Sequence, residues 1–180
     1  LLGGPQAGLI VGSAEAVERI RQHPMMRALR VDKHTYAALA ATLDVFETAA
    51  EPERALPMLN MMTRDVAELE EYADGCVQRW RDAFGSHVDV QRSPSTAQVG
   101  SGAQPMTRIP SAAITLVAKN ASAATVADLL RRLDPPVISR VEADMVWLDT
   151  RTVPHRDRDA LDSAMQQLAD RLSEEHTDAS

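Results

Sequence analysis

The sequence predicts an α/β protein. Three observations predict it: apolar residues recur at three- and four-residue steps through several stretches, short β-branched runs bounded by turn residues lie between them, and the composition is that of a folded chain. With 180 residues, 44% hydrophobic and 25% charged, the chain holds enough apolar material for one good core or two small ones. Two Trp, two Tyr and two Phe leave that core mainly to Leu, Val, Ile, Met and Ala. The order of elements predicts the end of one α/β domain over residues 1–56, followed over 57–180 by a linking helix and a small C-terminal α/β domain.

Taken in order, Leu9-Ile10-Val11 before Gly12 reads as a buried strand. A helix follows with Ser13 as its N-cap, Glu15 and Glu18 near the positive end of the dipole, Arg19 and Arg21 near the negative end, and Pro24 as its stop. Asp32 caps a second helix whose stripe of Tyr36, Leu39, Leu43 and Phe46 has to face a core. Beyond Pro57, the series Leu59, Met62, Val66, Leu69, Ala73, Val77, Trp80 and Phe84 predicts one long helix ending at Gly85. Val88 and Val90 read as a short strand, and the Ser-, Gly-, Thr- and Pro-rich stretch from Arg92 to Pro110 reads as an exposed or partner-ordered loop. Ala112 to Ala118 reads as a strand, and Val126, Leu129, Leu130 and Leu133 mark a helix closed by Asp134-Pro135-Pro136. A hairpin turning at Ala143-Asp144 joins Val137–Val141 to Met145–Leu148, and a last helix carries Leu161, Met165, Leu168 and Leu172 before an acidic tail that frays from Ser173.

A net charge of −7 argues against coating nucleic acid by general electrostatics, so no DNA partner is expected. The single Cys76 excludes an internal disulfide framework and fits a cytoplasmic setting; beside an apolar helix stripe it reads as a small buried hydrophobe. No apolar run is long enough to span a bilayer, so no membrane partner is expected. The five histidines show no ligand spacing, which supports no metal site. The chain opens on Leu1 rather than Met, and an upstream portion is expected.

Some segments carry a resemblance. Leu1-Leu2-Gly3-Gly4-Pro5-Gln6-Ala7-Gly8 leads into Leu9-Ile10-Val11-Gly12, and Arg27-Ala28-Leu29-Arg30-Val31-Asp32-Lys33 follows. Pro135-Pro136-Val137-Ile138 with Arg140, and Leu148-Asp149-Thr150-Arg151-Thr152-Val153, come later in the same order. Together these segments resemble bacterial selenocysteine synthase, L-seryl-tRNA(Sec) selenium transferase, from residue 1 to about Val153. The stretch Gln98–Pro105 departs from that family's fuller glycine-rich pattern.

The resemblance implies the C-terminal part of a fold-type-I pyridoxal-phosphate-dependent transferase: the end of the large domain, a long helix and the small domain. It implies a cytoplasmic homo-oligomer that turns seryl-tRNA(Sec) into selenocysteinyl-tRNA(Sec) with selenophosphate as selenium donor, tRNA recognition lying largely upstream. The cofactor lysine is expected just before Leu1, so no catalytic residue is assigned here; Lys33 and Lys119 lack its sequence context and are not substitutes. Arg27 and Arg30 are the substrate-binding candidates. Guanidinium groups suit a dianionic selenophosphate, and three-residue spacing sets them side by side on a helical turn. Lys33 and His34 could extend this basic face. Gly3 and Gly4 are candidates for approach to the cofactor phosphate, with a tight turn as an equal alternative. Two other readings stand beside the transferase: a related pyridoxal-phosphate lyase acting on a phosphorylated amino sugar, which shares the Gly-Gly-Pro-Gln start, and a non-catalytic remnant or assembly module.

Overall fold

The computed structural model describes residues 2–99 and 108–178, with side chains as far as residue 173. The chain divides into two compact units, residues 1–60 and 61–180, and the division falls inside a helix that begins at Pro57.

The first unit is helical. It holds α1 (Ala14–Arg21), a 3-10 turn (Pro24–Arg27), α2 (Lys33–Thr48), α3 (Pro52–Ala55) and the start of α4 (Pro57–Thr63). Ser13 and Asp32 cap α1 and α2 as their side chains predict. Leu9, Ile10 and Val11 form no strand, and they are 54%, 65% and 93% exposed. A strand needs a neighbour for its N–H and C=O groups, and among the described residues of this unit no strand exists to supply one. Tyr36 and Leu43 are likewise exposed, so the apolar stripe of α2 does not face a core within this unit. Among its described residues only Thr42 and Leu56 are buried.

The second unit contains the core. The expected long helix is two: α4 ends at Thr63, and α5 runs Val66–Phe84. Asp65 breaks the series by accepting from the Ala67 amide at 3.1 Å as the N-cap of α5, while Arg64 turns inward. Leu69, Ala73, Cys76, Val77, Trp80 and Phe84 then form the buried face of α5, ending at Gly85 with φ +54°.

A four-stranded antiparallel sheet has the order β1-β2-β4-β3, from β1 (Val88–Gln98), β2 (Arg108–Ala118), β3 (Arg140–Glu142) and β4 (Met145–Asp149). Alternate residues Val88 and Val90, Ala112, Ile114 and Leu116, Val146 and Leu148 enter one core with α5, α6 (Ala123–Arg131) and α7 (Arg158–Asp178). This is the mixed helix-and-sheet architecture expected, with every strand pair antiparallel.

The stretch from Arg92 to Pro110 is not a loop over most of its length. β1 and β2 pair without interruption from Val88↔Ala118 to Gln98↔Arg108, and residues 100–107, within the expected loop, lie outside the described residues. Pro94 is tolerated because β1 is an edge strand, and Pro110 because β4 reaches only Ala113–Leu116 of β2. The hydroxyls of Ser93 and Ser95, within the expected loop, instead bridge strands. Ser95 Oγ and Ser111 Oγ donate to Asp149 at 2.8 and 2.6 Å, and Ser93 and Thr115 share a hydrogen bond of 3.2 Å.

The β3–β4 hairpin turns at Ala143 and Asp144, with φ 51° and 55°, the left-handed pair that a two-residue turn requires. β3 begins at Arg140, later than the expected Val137. α7 continues through Asp178 rather than fraying from Ser173, whose Oγ donates back to the Ala169 carbonyl at 2.9 Å; Glu174 and Glu175 are good helix formers.

Two buried arginines tie this unit together. Arg64 Nη1 donates to the Thr150 carbonyl at 3.1 Å and the Val153 carbonyl at 2.9 Å, and Nη2 donates to Glu68 at 3.1 Å. Arg151 Nη1 donates to the carbonyls of Met61 and Arg64 at 2.8 and 3.0 Å, and Nη2 to that of Pro110 at 2.6 Å. Arg151→Ala removes all three of these bonds and leaves buried carbonyls unpaired, so it is expected to cost about 3 kcal/mol of stability. Adding Arg64→Ala costs less than the sum of the single variants, because each arginine holds backbone beside the other; urea unfolding of the four proteins measures the coupling.

Burial pushes the Glu68 carboxyl up, but the hydrogen bond from Arg64 and the positive charges of Arg64, His155 and Arg158 outweigh it and bring the group below its usual range. A depressed carboxylate contributes stability above its unfolded pKa and loses it as pH falls through the folded value. Unit 61–180 therefore weakens on acidification below about pH 4. A Glu68→Gln variant should show a flatter dependence of the unfolding midpoint on pH in that window.

Candidate functional site

In the first unit, capping rather than core packing shapes the chain around the arginine motif. Ser13 Oγ accepts from the Ala16 amide at 3.3 Å to start α1, which ends at Arg21. His23 Nδ1 accepts from the Met25 amide at 3.2 Å, and Pro24 opens a single 3-10 turn whose last residue is Arg27. Asp32 Oδ1 then accepts from the amides of His34 and Thr35 at 2.7 and 3.0 Å and starts α2. The amides of Thr35 and His34 and the Thr35 hydroxyl hold the Asp32 carboxyl below the usual carboxylate range.

Arg27 and Arg30 do not share an α-helical turn. The turn that Pro24 begins closes at Ala28 and Leu29, whose amides both bond the Met25 carbonyl at 3.0 and 3.1 Å, and Arg30 follows outside it. Both arginines are exposed, and both line one cavity of about 680 Å³ with Arg21, Leu9, Tyr36 and Leu39. Neither Arg27 nor Arg30 forms an ion pair with a carboxylate among the described residues. Arg21 is the cavity residue that sequence reasoning missed: its place at the end of α1 gives it an adequate role as a complement to the helix dipole. Lys33 and His34 are exposed at the first turn of α2, and His34 lies 3.4 Å from Asp32.

Gly3 and Gly4 line a neighbouring cavity of about 300 Å³ with Pro5, Gln6 and Met58. Ala7, Leu9 and Leu39 border both cavities, so the glycine run and the arginine motif lie on two sides of a shared wall. Gly3 has φ +80°, a left-handed conformation open to glycine at little cost. A Cβ on Gly4 would fall 2.5 Å from Thr42 Oγ1 and 3.1 Å from Thr42 Cβ. The close neighbour of Gly4 is thus α2, and a turn packed on that helix accounts for both glycines.

The second unit holds the remaining stretches of resemblance, and they have structural work. Asp149 accepts from Ser95 and Ser111 and, at 3.0 Å, from the Arg151 amide. Thr150 Oγ1 donates to the Ala112 carbonyl at 2.7 Å, and Arg151 fans into the backbone as described above. Pro135, Pro136 and Ile138 meet Asp149 and Thr152 around a cavity of about 380 Å³. Cys76 is fully buried, and burial pushes its thiol up, away from the reactive thiolate. Among the described residues no group of three or more His, Cys, Asp or Glu is placed to hold a metal ion, and no helix is long and apolar enough to cross a membrane.

The family model described as L-seryl-tRNA selenium transferase matches residues 1–154. Similar curated proteins carry the name L-seryl-tRNA(Sec) selenium transferase. The one from Edwardsiella ictaluri is 40% identical over 154 residues, which is 84% of this chain and 33% of that protein. Relatives from Moorella thermoacetica and Geotalea uraniireducens are 40% and 37% identical over 153 and 169 residues, 85% and 94% of this chain and 33% and 37% of their own length. The chain belongs to the L-seryl-tRNA selenium transferase family. It spans about a third of the length of the curated relatives it matches.

The residues described here do not by themselves fit pyridoxal phosphate. Of the two lysines, Lys33 is exposed on α2 and Lys119 is exposed after β2 in the other unit, while Gly4 is occupied by its contact with α2.

Gly4→Ala is expected to loosen residues 2–60 by about 1–3 kcal/mol through overpacking against Thr42. Thr42→Ala in the same chain should recover part of that loss, because it removes the closest atom. Amide hydrogen exchange along α2 measures both.

Proposed function

We propose that this chain is the C-terminal part of a cytoplasmic, homo-oligomeric selenium transferase that converts seryl-tRNA(Sec) to selenocysteinyl-tRNA(Sec). The observation that carries the reading is the family match over residues 1–154, which takes in the arginine motif and the motifs of the second unit alike. The names of the relatives favour the transferase over the lyase on a phosphorylated amino sugar and over a non-catalytic module.

In this reading the seryl side-chain oxygen is replaced by selenium from selenophosphate. Pyridoxal phosphate, held by a lysine just before Leu1 in a fold-type-I large domain, supplies the electron sink when bound. Residues 1–56 complete that large domain, and 57–180 form the linking helices and the small domain.

What Arg27 and Arg30 do is bind the donor. Both present guanidinium groups to one cavity without a carboxylate partner among the described residues, so neither has to give up an ion pair to accept a dianion. Gly3 and Gly4 take no part in this reading beyond the turn that packs on Thr42.

The test is made on the complete enzyme. Arg27→Ala and Arg30→Ala should each raise the KM for selenophosphate about ten-fold or more, the KM for seryl-tRNA(Sec) staying near its original value. Unchanged selenophosphate dependence in both variants would defeat the donor-site assignment.

A further inference from the structure

Arg21 reaches the donor cavity from a different element than the arginine motif. It is the last residue of α1, whereas Arg27 ends the 3-10 turn and Arg30 precedes α2, yet all three line the same cavity of about 680 Å³. We propose that Arg21 is a third anion-binding group of this cavity and that Glu18 positions it. The proposal rests on the reading of this cavity as the selenophosphate site.

Two contacts support it. Arg21 Nη1 donates to Glu18 Oε2 at 3.2 Å, and Gln22 Nε2 donates to Glu18 Oε1 at 3.0 Å, so the carboxylate that orients Arg21 is itself held from the next position along the chain. Arg21 uses only Nη1 in that pair, which leaves its Nε and Nη2 donors for a ligand. A phosphate-type dianion has acceptor capacity left over after two guanidiniums, and a third cation in the cavity lining serves both attraction and orientation.

Arg19 provides the internal control. It belongs to the same helix and carries the same charge, but it lines a neighbouring cavity with Ile20, His23 and Met25 instead. If Arg21 acted only through the general field, Arg19 would act alike; if it binds, the two residues differ.

The experiment measures the complete enzyme with varied selenophosphate and with inorganic sulfate as competitor. Arg21→Gln is expected to raise the selenophosphate KM and the sulfate inhibition constant together by about five-fold, with kcat and the KM for seryl-tRNA(Sec) unchanged. Arg21→Lys should recover part of the loss, and Arg19→Gln should have no effect. Glu18→Ala should raise both donor constants, because Arg21 loses the acceptor that orients it, and unchanged constants in this variant would defeat the positioning role of Glu18.

Three outcomes overturn the proposal: unchanged donor constants in Arg21→Gln while Arg27→Ala raises them, an equal rise in Arg19→Gln, or a rise for donor and tRNA alike with a lowered melting temperature. If Arg27→Ala and Arg30→Ala also leave the donor constants unchanged, the donor-site reading itself fails. The two failures are therefore told apart within one series.

Discussion

The second unit depends on a reciprocal arrangement of two charged side chains in its interior. Arg64 sits where the helix series breaks, Arg151 sits in the short 3-10 turn after β4, and each guanidinium donates to carbonyls of the segment that bears the other. Burial lowers the Arg151 pKa, yet an arginine stays charged at neutral pH, so the charge has to be solvated by protein groups. The carbonyls of Met61, Arg64 and Pro110 do so, and they belong to α4, the helix break and β2. Residues 61–64, the start of β2 and the turn after β4, far apart in sequence, are thereby held at one point. The kink between α4 and α5, the start of β2 and the exit from β4 are parts of a single arrangement.

This arrangement explains why the elements with local signals were legible and the others were not. Ser13, Asp32 and the Ala143-Asp144 turn act on backbone within a few residues, and each is found where its side chain predicts. The break at Arg64 is different, because the apolar rhythm from Leu59 to Phe84 runs straight through it. What overrides the rhythm is a set of hydrogen-bond partners nearly ninety residues away, with separations of 86 and 89 for the Thr150 and Val153 carbonyls. The long β1–β2 hairpin failed to show itself for a related reason. Ser93 and Ser95 look like loop residues until Thr115 of the opposing strand and Asp149 supply their partners.

The candidate site inverts the usual relation between a site and its support. The arginines lie in a unit where only Thr42 and Leu56 are buried among the described residues, so no core in that unit fixes them. Their positions come from the caps at Ser13, His23 and Asp32, each of them one side chain accepting from the backbone. Arg27 and Arg30 were legible because the motif is continuous in sequence. Arg21 was not, since nothing local separates a dipole-complementing arginine from one that lines a cavity.

A cap contributes on the order of 1 kcal/mol, enough to choose a local path for the chain but little against a competing packing force. Leu9, Leu29 and Tyr36 stand exposed around the same cavity, and their apolar area outweighs the caps as soon as another surface covers them. The spacing of the three arginines is therefore sensitive to what packs on residues 1–60. The arrangement of Arg21, Arg27 and Arg30 and the packing of that apolar surface are thus physically coupled.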